Sequence, residues 1–376
     1  MPERPQYRII YNWDGAPHGY SPAPQSMAAF LEKAYAPLED TQVDALFWSC
    51  GGQGSRWPSE VLEFIGEAEG RRYKSASAYT GTENIRQMYD RGEDPQEALI
   101  QRGHELGLHV YASIRMNDNH FGGAQVDDLG SLLRANRVEA LRAEHPEWLL
   151  GDRTAEWFAL SWNMAIPQIR QRRYDHVEEV CQVYDWDGVE LDWQRHAFHF
   201  PEDEAYRLRY ALTDLQRAIR RMTENLGKER GRPVYLAARV AGSLETCRRI
   251  GYDVPKWVDE GLVDILIPAG NAVTDASIDG RRLRGNLRGH RRRRLPGIRQ
   301  QSSRSLCRSG RGGREGHSQD AGDRQSLSPG RSVRNIRLQL ACQPRFEATA
   351  ADDDRLDGDP GGNRQDLCGD PPVRPA

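Results

Sequence analysis

Two carboxylates, Glu190 and Asp192, sit two residues apart in the run Tyr184-Asp185-Trp186-Asp187-Gly188-Val189-Glu190-Leu191-Asp192-Trp193. Strand alternation puts both acids on one face and Val189 and Leu191 on the other. With the apolar pair packed on helices, the acids project to the opposite side, about 6–7 Å apart along the strand. At that spacing one charge can push the other's pKa upward. Paired carboxylates carry out acid–base and nucleophilic work on glycosidic bonds. Asp192 is the candidate nucleophile or base. Glu190 is the deeper group of the catalytic set and reads as a support, paired with Arg239 or Arg115. The competing reading makes Asp192 a carboxylate that caps a helix or fixes a loop.

Other reactive or hydrogen-bonding residues recur where apolar runs end. Asp118 joins Asp192 and Glu190 as a catalytic candidate. Asn12, Asp14, Trp48, Arg115, Asn117, His120, Trp193, Arg239 and Asn271 are candidates for substrate binding, the Trp rings as faces for sugar. Aromatic rings also fill barrels, so each Trp is equally a core candidate. His196 and His199 lie three apart near Asp192, but no HxH or HExxH pattern occurs, and no metal or other cofactor is expected. The six Cys form no CxxC pair, which points to a reduced, cytoplasmic setting.

The elements that must hold these groups alternate. Apolar β-runs cover Arg8–Trp13, Val43–Cys50, Leu108–Met116, Gly188–Trp193, Val234–Val240 and Leu262–Pro268. Helices are predicted over Pro24–Ala36, Glu60–Ala68, from Asp94-Pro95 to Gly107, over Ser131–Glu144 and over Pro167–Tyr184. Glu204–Leu226 forms a long helix stopped by Gly227, and two short helices follow Ser243 and Pro255. Six strands, each followed by a helix, predict parallel βαβ units of an α/β protein. The expected fold is a (β/α)8 TIM barrel with strands 1–6 present and 7–8 lost. Such barrels keep their reactive groups at the carboxyl ends of the strands. An open doubly wound sheet is the alternative, but no Gly-rich phosphate fingerprint follows the first strand.

The segment Asn163–Arg195, a helix opening Ile166-Pro167-Gln168-Ile169-Arg170 and leading to Asp187-Gly188-Val189-Glu190-Leu191-Asp192-Trp193, resembles the family 10-like glycosyl hydrolase barrels. The opening Tyr11-Asn12-Trp13-Asp14-Gly15 and the run Gly261–Pro268 are also similar to members of that group. The resemblance spans about residues 7 to 275 and implies carbohydrate hydrolysis, with Asp192 matching the acid at the end of the fourth strand.

The last hundred residues differ from all of this. After Trp257 the sole aromatic is Phe346, and Ala276 to Ala376 holds 21 Arg and no Lys. The body to residue 275 carries 31 Lys and Arg against 43 Asp and Glu, whereas the tail carries 21 against 12. Out-of-frame translation of a GC-rich gene yields such Arg, Gly and Pro content, and a slip near Gly280 is expected. Read one nucleotide later, the tail can encode two further β-runs, ending YPGFD and GFNW, which would bring six strands to eight. The alternative is a disordered Arg-rich tail. The expected division is a glycoside-hydrolase-like barrel over 1–275 and an irregular tail over 276–376.

These features bound the function. The acidic body argues against nucleic acid as a partner, and the Arg291–Arg294 run lacks interleaved aromatics. No apolar run is long enough for a membrane span, and the amino terminus lacks a signal peptide's apolar core. The partner expected is a carbohydrate. The expected activity is a glycoside hydrolase impaired by its ending, with a non-catalytic carbohydrate-binding barrel or an inactive product as alternatives.

Overall fold

A computed structural model of the chain describes residues 5–13, 21–67, 70–71, 76–134, 138–270, 278–283 and 285–287, with short strands at 337–338 and 341–342. Asp14, Asn271 and nearly all of the tail lie outside the described residues.

Six parallel strands form the sheet: β1 (Ile9–Trp13), β2 (Val43–Ser49), β3 (His109–Arg115), β4 (Gly188–Asp192), β5 (Tyr235–Ala241) and β6 (Ile265–Ala269), hydrogen-bonded in that order. The helices are α1 (Met27–Tyr35), α2 (Ala76–Asp90), α3 (Pro95–Glu105), α4 (Leu129–Arg134), α5 (Ala140–Glu144), α6 (Pro167–Val183), α7 (Ala205–Glu229), α8 (Leu244–Arg249) and α9 (Val254–Asp259). Strand alternation divides the core in two. Leu46, Trp48, Val110, Ala112, Val189, Leu191, Leu236 and Ala238 pack toward the helices. Ile10, Ala45, Phe47, Tyr111, Ala237, Ile265 and Ile267 fill the concave side. The structure is an incomplete (β/α) barrel.

Two-residue strands flank the six. Arg337–Leu338, β7, pairs with β6, and Ala341–Cys342, β8, pairs with β1. Leu338 and Ala341 are three residues apart, hence at most about 11 Å apart. The edges they pair with therefore approach each other, and the sheet is curled. At the amino ends of the strands, acids set the parallel register. Asp187 accepts the Val110 N–H at 2.8 Å and Asp264 the Leu236 N–H at 2.9 Å.

Several predicted helices differ in the structure. No helix forms over residues 60–67, because Ser55 bridges to Phe64 and exchanges backbone hydrogen bonds with Glu63 and Ile65. The long helix predicted over Ser131–Glu144 is two short ones, α4 and α5. Gly227 does not stop α7, which runs to Glu229. A Cβ at Gly227 would lie 3.0 Å from the Arg232 carbonyl oxygen, so this glycine serves close approach of the returning chain. Beyond residue 275, Leu283 and Leu287 lie on helical residues and are buried in the core. Asp279 Oδ1 accepts the N–H groups of Arg281 and Arg282 at the start of that segment.

Gly188 opens the strand that carries the paired acids. A Cβ there would stand 2.5 Å from the Tyr235 carbonyl oxygen and closer still to the Tyr111 ring. A carbonyl in the strand ladder cannot move away, so Gly188→Ala is expected to cost about 1–3 kcal/mol, the range for overpacking. Urea unfolding measures this, and a loss below about 0.5 kcal/mol would contradict the packing described.

Candidate active site

The parallel register assembles two rows of side chains on the concave side near the carboxyl ends. Ser113, Glu190 and Ala237 are neighbours in one row, and Arg115, Asp192 and Arg239 in the next. The polar members cross from β3 to β5 at the level where a barrel presents its chemistry.

Glu190 is fully buried. Its Oε2 accepts the Asn12 amide at 2.9 Å and the Ser113 hydroxyl at 2.5 Å. Asn12 belongs to β1, three strands from β4, and reaches Glu190 because the sheet curls. Burial pushes Glu190 up to about 7, and the Asp192 charge adds to the shift. Arg239 and the two hydrogen bonds oppose it. The expected pairing of Glu190 with Arg239 or Arg115 is not what forms. Arg239 pairs with Asp192, and Arg115 approaches Asp118, because each arginine lies one row nearer the mouth than Glu190.

Asp192 is 7% exposed and Arg239 3%. The Arg239 guanidinium donates to both Asp192 oxygens at 3.1 Å. Oδ1 also accepts the N–H groups of Gln194 and Arg195, at 3.0 and 2.9 Å. Oδ1 is therefore saturated, while Oδ2 accepts from Arg239 alone among the described residues. The carboxylate holds the turn after β4 and keeps one oxygen with spare acceptor capacity.

Asp118 anchors the loop after β3. Its Oδ1 lies 2.9 Å from His120 Nδ1, 3.2 Å from His196 Nδ1 and 3.6 Å from Arg115. Burial pushes its carboxyl up, but Arg115, His120 and His196 together outweigh that and hold it well below the usual carboxylate range. His120 has a 42% exposed side chain. Asn117 makes three hydrogen bonds at 2.9 Å, donating to the carbonyls of Trp162 and Phe198 and accepting the Trp162 N–H. It ties three loops together and has little left for a substrate.

The tryptophans divide by parity. Trp48 and Trp193 stand on the helix-facing side of their strands and are buried, Trp48 against Trp13 and Phe30, and Trp193 against Trp257 and His199. Neither ring faces the mouth. Trp157, not singled out in the sequence, is 55% exposed. Asn119, between Asp118 and His120, donates to its carbonyl at 2.7 Å, and its ring lies against Gly122. Ser113 is a second residue missed, although alternation inward from Arg115 points to it. His199 is not near Asp118 in function: its Nε2 faces the Trp193 carbonyl and the Tyr252 hydroxyl, both at 3.1 Å.

No protein-family model matches the chain, and no curated protein sequence matches it. Among solved structures, the chain is similar to the C-terminal domain of a putative chitinase from Desulfitobacterium hafniense, at 14% identity and a TM-score of 0.40, over 75% of this chain and 62% of that one. Chitinase ChiW from a Paenibacillus species is similar at 12% identity and a TM-score of 0.40, over 75% of this chain and 28% of that one. A family 18 N-acetylglucosaminidase from Paenibacillus barengoltzii shows 14% identity and a TM-score of 0.28, over 47% and 40%. The chain thus spans less than two thirds of each of these structures. No helix among the described residues is long and apolar enough to cross a membrane.

Proposed function

We propose that the chain is a glycoside-hydrolase-type barrel that binds a carbohydrate across the carboxyl ends of β3, β4 and β5 and acts on a glycosidic bond through Asp192. The observation that carries this reading is the stacked pair of acids on β4, one paired with Arg239 at the mouth, the other buried beneath it and protonated up to about pH 7. Asp192 Oδ2 is the reacting oxygen, as nucleophile or base. Glu190 is a positioning group: fully buried, it touches no substrate and sets the field beneath Asp192. Asp118 holds the adjoining loop, and Arg115, at the end of β3, and His120, from the loop, reach the substrate. Trp157 takes the stacking role expected of Trp48 and Trp193, with Asn119 and Gly122 seating it.

A second reading is supported by the saturation of Asp192 Oδ1. A carboxylate that fixes a turn and pins a buried arginine fits a non-catalytic carbohydrate-binding barrel. In either reading the tail is out-of-frame sequence, and in the first the loss of the site residues of the last two strands impairs turnover. The burial of Leu283 and Leu287 supports a slip downstream of residue 287.

The test is a panel of oligosaccharides offered to the wild-type chain and to Asp192→Asn, reading both binding and released reducing ends. Hydrolysis is expected to fall about 10³-fold or more in the variant, with sugar affinity kept. Equal binding with no turnover in either protein favours the second reading. An absence of carbohydrate binding in both ends the proposal.

A further inference from the structure

One cluster of ligand-type side chains has a capacity that neither reading above draws on. Asp118 and His120 come from the loop after β3, and His196 from the turn after β4. One ligand atom from each lies within 4.8 Å of the other two. We propose that Asp118, His120 and His196 form a binding site for a divalent transition-metal ion, two imidazoles and one carboxylate being a ligand set that Zn2+ takes.

Geometry supports this first. Metal–ligand bonds of about 2.0–2.2 Å in tetrahedral arrangement place ligand atoms about 3.3 Å apart. Asp118 Oδ1 lies 2.9 Å from His120 Nδ1 and 3.2 Å from His196 Nδ1, so both oxygen–nitrogen edges need only small adjustment. The two rings stand at 81° with centroids 4.9 Å apart, so they are not stacked and can aim at a common point. His120 supplies the remaining closure, since its side chain is 42% exposed and can turn, whereas Asp118 and His196 are buried.

A buried oxygen supports it second. Asp118 Oδ1 is buried, and although two imidazole nitrogens lie near it, none of the described residues aligns a hydrogen bond on it. A cation accommodates that arrangement, and three protein ligands leave a fourth position for water or substrate. The ion would take the single Nδ1 lone pair of His196, so the Asn119 N–H contact at 3.1 Å gives way on binding. Arg115, whose guanidinium is 3.6 Å from the same oxygen, competes with the ion and limits its affinity.

The experiment uses the untagged full-length chain after chelator treatment, with Zn2+ titrated against a chromophoric competitor. One equivalent is expected to bind, unaffected by excess Mg2+ or Ca2+, which prefer all-oxygen sites. His120→Ala and His196→Ala are each expected to weaken binding at least about 10-fold. Arg115→Met, which removes the competing charge, is expected to tighten it by about the same factor. His120 is exposed, so its variant keeps the test decisive even where a buried substitution fails to fold. Zn2+ affinity unchanged by His120→Ala, or no stoichiometric binding, overturns the proposal.

Discussion

Replacing Asp192 with alanine is expected to destabilise the protein by about 3–5 kcal/mol, the range for removing one partner of a buried ion pair. Arg239 is even less accessible than Asp192, and its Nη1 donates to both carboxylate oxygens, so the truncation removes the carboxylate charge that faces this buried cation. The same change removes the acceptor for the Gln194 and Arg195 N–H groups and loosens the turn that carries His196. Most of the loss should be the cost of the orphaned charge rather than the worth of the pair. The double variant Asp192→Leu with Arg239→Met is therefore expected to recover much of it. Equilibrium urea unfolding of wild type, Asp192→Leu, Arg239→Met and the double variant gives the cycle, beside Asp192→Ala. A single-variant loss below about 1 kcal/mol would mean that water already reaches Arg239 and that the mouth is wetter than described.

The acids on β4 were legible in the sequence because strand alternation is a local property. Val189 and Leu191 declare the helix-facing side, so Glu190 and Asp192 must share the other. The same parity places Trp193, next after Asp192, under the helices. Of the two readings of Trp193, a stacking face and a core ring, its burial on that side fits the core ring. Trp48 fits it for the same reason, being the helix-facing neighbour of Phe47. Of the partners of Glu190, Ser113 shares its face by alternation inward from Arg115, whereas Asn12 was not legible as a partner. Asn12 lies 178 residues away and meets it only because the sheet curls, a consequence of packing that no local pattern encodes.

Helices show the same boundary between local and tertiary control. The Asp94-Pro95 start and the Ser243 cap appear as expected, with Asp94 accepting from Gln96 and Glu97 and Ser243 from Thr246. α2 was not anticipated, since ASAYTGTENIRQMYD is mostly polar, with a glycine and two threonines, although Ile85 and Met88 are buried. Residues 60–67 carry good helix-start signals, yet Ser59 spends its hydroxyl on the Val61 and Leu62 N–H groups while Ser55 captures Phe64 in a bridge. The grouping of Asp118 with His196 escaped for a related reason. The two are 78 residues apart, and nothing in the spacing of either connects loops that meet only across adjacent strands.

Glu190→Gln is expected to abolish the pH dependence contributed by this one buried acid. The folded state holds the Glu190 proton up to about pH 7, against an ordinary value of 4.5. Below about 4.5 both folded and unfolded chains carry the proton, and the acid imposes no penalty. As pH rises through that window the unfolded chain releases it first, so wild-type stability falls, by roughly 3 kcal/mol in all by pH 7. Gln does not titrate, and its carbonyl can still accept from Asn12 and Ser113. The variant should match wild type near pH 4 and exceed it by roughly 3 kcal/mol above pH 7. Urea unfolding of both proteins across the window tests this, and a difference that stays constant with pH would show that Glu190 is not held protonated. Because the Asp192 charge contributes to the upward shift, Asp192→Asn should narrow the window from its upper end. Below about pH 7 Glu190 then keeps its proton, so that it adds no second carboxylate charge beneath the Asp192–Arg239 pair.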